Sequence, residues 1–100
     1  MLRHIVMWRL KDEYEGMDKN GIAHRMKERL EALQETVPQL GELEVGIDIN
    51  GSENAADVVL YSSFADKDAL DAYQKHPSHQ EVVAFVKEVV TERRVVDYEV

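Results

Sequence analysis

Leu43-Glu44-Val45-Gly46-Ile47-Asp48-Ile49, then Asn50-Gly51-Ser52, then Asp57-Val58-Val59-Leu60-Tyr61-Ser62-Ser63-Phe64 occupy the middle of this 100-residue chain. In the first segment, apolar residues alternate with Glu44, Gly46 and Asp48, the period of a half-buried strand. Asn50-Gly51-Ser52 is a turn signal. The second segment is again a strand, with Val58, Leu60, Ser62 and Phe64 on one face and Val59, Tyr61 and Ser63 on the other. Two strands therefore follow one another with no helix between them.

Helices are expected on both sides of this pair. Upstream, Ile22, Met26, Leu30, Leu33 and Val37 form one helical stripe starting near Asn20, and Lys27, Glu28, Arg29, Glu31 and Glu35 form its solvated face. Pro38 and Gly41 stop it. Lys11 to Lys19 is charged and contains Gly16, so it reads as a loop. Leu2 to Leu10 reads as a strand with Leu2, His4, Val6, Trp8 and Leu10 on one side and Arg3, Ile5, Met7 and Arg9 on the other. Downstream, Asp66 is placed to cap a short helix that buries Leu70 and Tyr73 and ends before Pro77. A further helix runs to about Val90 and buries Val82, Val86, Val89 and Val90. Arg93 to Val100 alternates once more, with Val96, Tyr98 and Val100 opposite Val95, Asp97 and Glu99.

The order is β-α-β-β-α-β, with the second helical region in two pieces. This is the split βαβ, ferredoxin-like α+β arrangement: one domain over residues 1–100, a four-stranded antiparallel sheet and helices on one face. Ile5, Met7, Val59, Tyr61 and Val95 are expected on the other face. A bare apolar patch is unusual on a soluble monomer. The expectation is a homodimer in which two sheets meet face to face as a dimeric α/β barrel, burying on the order of 1,600 Å² or more.

Composition narrows the function. The formal net charge is −8, and the basic residues are scattered, so a nucleic-acid partner is not expected. No apolar run spans a bilayer, and Arg3, His4 and Arg9 interrupt any leader-like start, so no membrane partner is expected and the cytoplasm is the default location. The absence of cysteine removes disulfides, thiolate metal sites and thiol nucleophiles. Ser62, Ser63 and Ser78 lack a nucleophile elbow, and no glycine-rich phosphate loop is present.

Chemistry concentrates in Tyr73-Gln74-Lys75-His76-Pro77-Ser78-His79. Tyr73 and His79 lie across a proline break, so both can point at the sheet face that carries His4. A neutral imidazole takes a proton near neutral pH, and a phenol donates to a carbonyl oxygen and supports a developing enolate. His79 is the candidate base, Tyr73 the donor and His4 a third polar group that needs a partner. The alternative is packing, with Tyr73 filling core and His79 holding the first turn of the last helix. His76 and His79, at i and i+3, are too few for a zinc site of their own. No metal or other cofactor is expected.

Several stretches resemble the stress-responsive dimeric α/β-barrel (Dabb) family. His4-Ile5-Val6-Met7-Trp8-Arg9-Leu10-Lys11 is similar to its first strand, the Tyr73-to-His79 element to its most recognisable segment, and Val95-Val96-Asp97-Tyr98 to its closing strand. The resemblance implies a ferredoxin-like dimer. A few plant members are polyketide cyclases, and in them residues matching His79 and Tyr73 handle protons while one matching His4 shares the cavity. Met26 and Leu30 stand here where those cyclases carry aromatics. Related barrels include cofactor-free monooxygenases. The expected site is thus a pocket for a small, partly apolar carbonyl compound, lined by Val6, Trp8, Met26, Leu30, Leu60 and His76, with His4, Tyr73 and His79 at its polar end. A non-catalytic binding or structural dimer is the competing reading.

Overall fold

A computed structural model describes residues 1–100. Its elements are β1 (Leu2–Leu10), β2 (Glu13–Tyr14), β3 (Met17–Asp18), α1 (Lys19–Glu31), α2 (Leu33–Thr36), β4 (Leu43–Ile47), β5 (Val58–Phe64), α3 (Lys67–Lys75), α4 (Pro77–Val89) and β6 (Val90–Glu99). The main sheet has the order β4-β5-β1-β6, and every pair in it is antiparallel. This is the ferredoxin-like fold. No helix is long and apolar enough to cross a membrane.

Residues opposite one another in a ladder share a face. Val6 pairs with Leu60 and Trp8 with Val58, and all four are buried beneath the helices. The stripe Ile22, Met26, Leu30, Leu33 and Val37 packs there as expected, as do Phe64, Leu70, Tyr73, Val82, Val86 and Val89. Ile5 pairs with Tyr61 and Met7 with Val59 on the opposite face, which no helix of this chain covers.

The structure corrects several expectations. The charged Lys11–Lys19 segment holds a small hairpin, β2–β3, turning through Glu15 (φ 47°) and Gly16 (φ 82°). Two consecutive left-handed residues match the right-handed twist of the flanking strands. Asp18 then caps α1 by accepting from the Gly21 amide at 2.8 Å. The helical stripe is split at Ala32 into α1 and α2. Ile49 lies beyond β4 and is fully exposed. Val90 opens β6 rather than closing α4.

The largest correction concerns β6. Val95 pairs with Val6, Asp97 with His4 and Arg93 with Trp8, so these three point to the helix side. Val96 and Tyr98, opposite Ile5 and Arg3, take the place on the open face that Val95 was expected to hold. β6 is an edge strand lying beyond the helices, and Val95 is 46% exposed despite facing their side.

Gly41 has a role beyond stopping a helix. Its amide donates to the Ser63 carbonyl at 2.9 Å, and the Glu42 amide donates to Ser63 Oγ at 2.9 Å. A Cβ at Gly41 would sit 2.8 Å from that carbonyl oxygen. Gly41→Ala is therefore expected to destabilise the protein by about 1–3 kcal/mol, the cost of an overpacked backbone contact. Urea unfolding checks this; an unchanged midpoint would show that the contact relaxes freely.

Candidate functional site

His4, Phe64, Tyr73 and His79 converge between sheet and helices. The Tyr73 ring lies 4.3 Å from that of His79, 5.0 Å from that of Phe64 and 6.5 Å from that of His4, measured between centroids. Backbone chemistry explains the placement. Asp66 caps α3 by accepting from the Ala69 amide at 2.8 Å, which phases Leu70 and Tyr73 inward. Pro77 bars the preceding residue from helical conformation, so His76 is extended (φ −63°, ψ 135°) and α4 starts anew. The break turns His79 back onto Tyr73.

Each imidazole has a distinct partner. His4 Nδ1–H donates to the carboxylate of Asp97, the residue facing it across the β1–β6 ladder. His79 Nδ1 lies 3.2 Å from the Gln74 carbonyl oxygen. A carbonyl only accepts, so Nδ1 carries the proton and Nε2 is the basic nitrogen of the neutral ring. His76 Nδ1 accepts from the Ser78 amide at 3.1 Å. His76 is thus the cap of α4, the duty assigned above to His79, and it does not line the pocket.

A cavity of about 450 Å³ opens beside this group. His4, Val6, Trp8, Leu30, Leu60, Tyr73 and His79 are among the residues that line it. Met26 is not. It is fully buried in the core, because α1 lies over the β4 side of the sheet and reaches the cavity only through Leu30. Most of the remaining wall comes from α4 and β6: Val82, Val83, Val86 and Lys87, then Val90 and Arg93. The helix passes directly into the strand at Val89–Val90, and residues on both sides of that junction face the cavity.

Two buried donors here lack acceptors: Tyr73 Oη and Trp8 Nε1. Burial pushes the Tyr73 phenol up to about 12, so it stays a donor throughout the physiological range. Burial chiefly pulls His79 below its ordinary 6.5; the Gln74 carbonyl opposes this, and His4, Arg93 and His76 add to it. The site therefore pairs a neutral imidazole with a protonated phenol at the wall of an apolar cavity.

The model for the stress responsive A/B barrel domain, Dabb, matches residues 2–100. The chain belongs to the Dabb family. An uncharacterized protein of Streptomyces coelicolor is 33% identical over 99 residues, covering 99% of each chain. A solved dimeric protein of unknown function and ferredoxin-like fold from Bacteroides fragilis is 31% identical, with a TM-score of 0.88 over 99% of this chain and 95% of that one. The hydroxynitrile lyase of Passiflora edulis shares the fold at 17% identity, with a TM-score of 0.84 over 99% of this chain and 92% of its own.

Within this Dabb domain, sequence reasoning missed Asp97, Gln74 and Arg93. Asp97 was legible only through the β1–β6 register. Gln74 acts through its backbone carbonyl, which no side-chain pattern reveals.

Two outcomes follow from the site's energetics. A buried hydroxyl without an acceptor costs stability. Tyr73→Phe should leave stability unchanged or raise it by up to about 1 kcal/mol, read as a denaturation midpoint; a marked loss would mean that the hydroxyl has a structural partner. For His79, the folded state binds its proton less readily than the unfolded state does. The contribution of the neutral ring is fully present above pH 6.5 and is lost as pH falls through the depressed folded value. Between pH 7.5 and pH 5, the wild type should therefore lose more stability than His79→Asn. Equal losses would contradict the depressed value.

Proposed function

We propose that this Dabb protein is a homodimer that binds a small, partly apolar carbonyl compound in the cavity of each subunit and transfers a proton beside the carbonyl. The observation that carries the reading is the buried, unpartnered Tyr73 hydroxyl set against the His79 ring. Such an orphan is costly unless a ligand oxygen supplies its acceptor.

His79 Nε2 takes a proton from the carbon next to the carbonyl. The electron pair moves onto the carbonyl oxygen, and Tyr73 O–H stabilises the resulting enolate. Where the compound carries a second carbonyl within reach, the enolate carbon bonds to it, and the alkoxide so formed takes the proton back from His79. A new carbon–carbon bond closes a ring, as in the polyketide cyclases. The His4–Asp97 pair fixes the third polar group at the same end of the cavity.

The dimer is supported by the open face, where Ile5, Met7, Val59, Tyr61, Val96 and Tyr98 stand together. It is supported also by the dimeric Bacteroides fragilis relative. Two such faces in contact would form the barrel.

Deuterium incorporation at the methyl group of acetophenone in D2O, followed by proton NMR, tests the chemistry. The wild type is expected to accelerate exchange, and His79→Gln and Tyr73→Phe each to lose on the order of 10²-fold of that acceleration. Binding of the ketone with no exchange above buffer would leave a non-catalytic binding protein. No binding at all would overturn the reading.

A further inference from the structure

We infer that the ligand of this cavity bears a carboxylate, held at the mouth by Arg93 and Lys87. The inference rests on the carbonyl-binding reading and names its substrate class more closely.

The chain has 20 acidic residues against 12 lysines and arginines, yet no aspartate or glutamate lines the cavity. Both cations that line it are free. Neither Arg93 nor Lys87 forms an ion pair, a state they share with most lysines and arginines of the chain; what sets them apart is the cavity they line. Two cations and no carboxylate among the lining residues give this cavity a positive bias within an acidic chain.

The fold holds them there. Arg93 faces Trp8 across the β1–β6 ladder, which turns it toward the helices, and it lies close enough to His79 to help depress that ring. Lys87 approaches from the last turns of α4. The two sit on either side of the helix-to-strand junction, at the end of the cavity lined by Val86 and Val90.

The inner wall has the same bias. The protonated Tyr73 hydroxyl is a donor without an acceptor. The cavity is thus rich in donors and cations and is lined by apolar side chains between them. A ligand that completes it offers a carbonyl oxygen to Tyr73, an apolar body to Val6, Leu60 and Val86, and an anionic, two-oxygen group to the guanidinium fork of Arg93. A keto acid has all three.

Calorimetric titration of the wild-type protein with acetophenone and with 4-acetylbenzoate isolates the carboxylate. The expected result is about tenfold or tighter binding of 4-acetylbenzoate, the worth of a charge-assisted hydrogen bond. Added salt should weaken that preference. It should collapse in Arg93→Gln, shrink in Lys87→Gln and survive only in part in Arg93→Lys, which keeps the charge but not the fork. Equal affinity for the two ketones, or a preference that persists in Arg93→Gln, would overturn the inference while leaving the carbonyl reading intact. Preferential binding of 4-acetylbenzoate without deuterium exchange would support the inference and defeat the catalytic reading. Failure of both ketones to bind would defeat both.

Discussion

One sheet with two apolar faces, and helices enough to cover one of them, is the constraint from which the rest of this structure follows. Helices α1, α3 and α4 pack beneath Val6, Trp8, Val58 and Leu60. Nothing in the chain covers Ile5, Met7 or Val96 on the other side, and Met7 and Val96 are 42% and 49% exposed. The elements of these residues make two layers and leave none for a third. In the proposed dimer a second copy supplies one at little cost in new sequence, since a standard interface takes only about 800 Å² from each partner.

The same shortage of cover shapes the cavity. The helices lie over the three strands β4, β5 and β1, and β6 projects past them. Where α4 runs directly into β6 at Val89–Val90, helix and strand hold a space between them rather than closing on it. The strand that lacks a helical roof is the one that delivers Asp97 to His4 and Arg93 to the cavity mouth. Polar groups here are bound to their neighbours only in part. Asp97 and the Gln74 carbonyl each engage an imidazole through Nδ1, whereas Tyr73 and Trp8 keep buried donors without acceptors. Buried donors are almost always paired, and two orphans on residues that line one cavity are what the proposed binding role rests on.

Much of this was legible in the residue order. Strand β4 alternates with a clear phase, and β1 and β5 read as strands with apolar residues on both faces. The stripe from Ile22 to Val37 announced a buried helix face, and Asp66 announced a cap. β6 was not legible in the same way. Val95 and Val96 are adjacent and equally apolar, so the alternation has no phase of its own. Pairing with β1 sets that phase, and β1 is irregular at Arg9–Leu10. Hence alternation alone puts Val95 on the wrong face and does not pair Asp97 with His4. Met26 shows a second limit: a helical stripe says that a residue is buried but not whether it meets core or cavity. The β2–β3 hairpin was hidden by charge, although Glu15-Gly16 is a workable two-residue turn. Tyr73, His79 and His4 could be grouped because a proline break and an alternating strand are both local signals. Their partners Gln74 and Asp97 depend on backbone position and register, which are not.

Sedimentation equilibrium at micromolar protein concentration tests the central claim most directly. The account predicts a single species of twice the 11.5 kDa chain mass, with the Ile5, Met7 and Val96 face inaccessible to solvent. A folded, soluble species at the mass of one chain would contradict it.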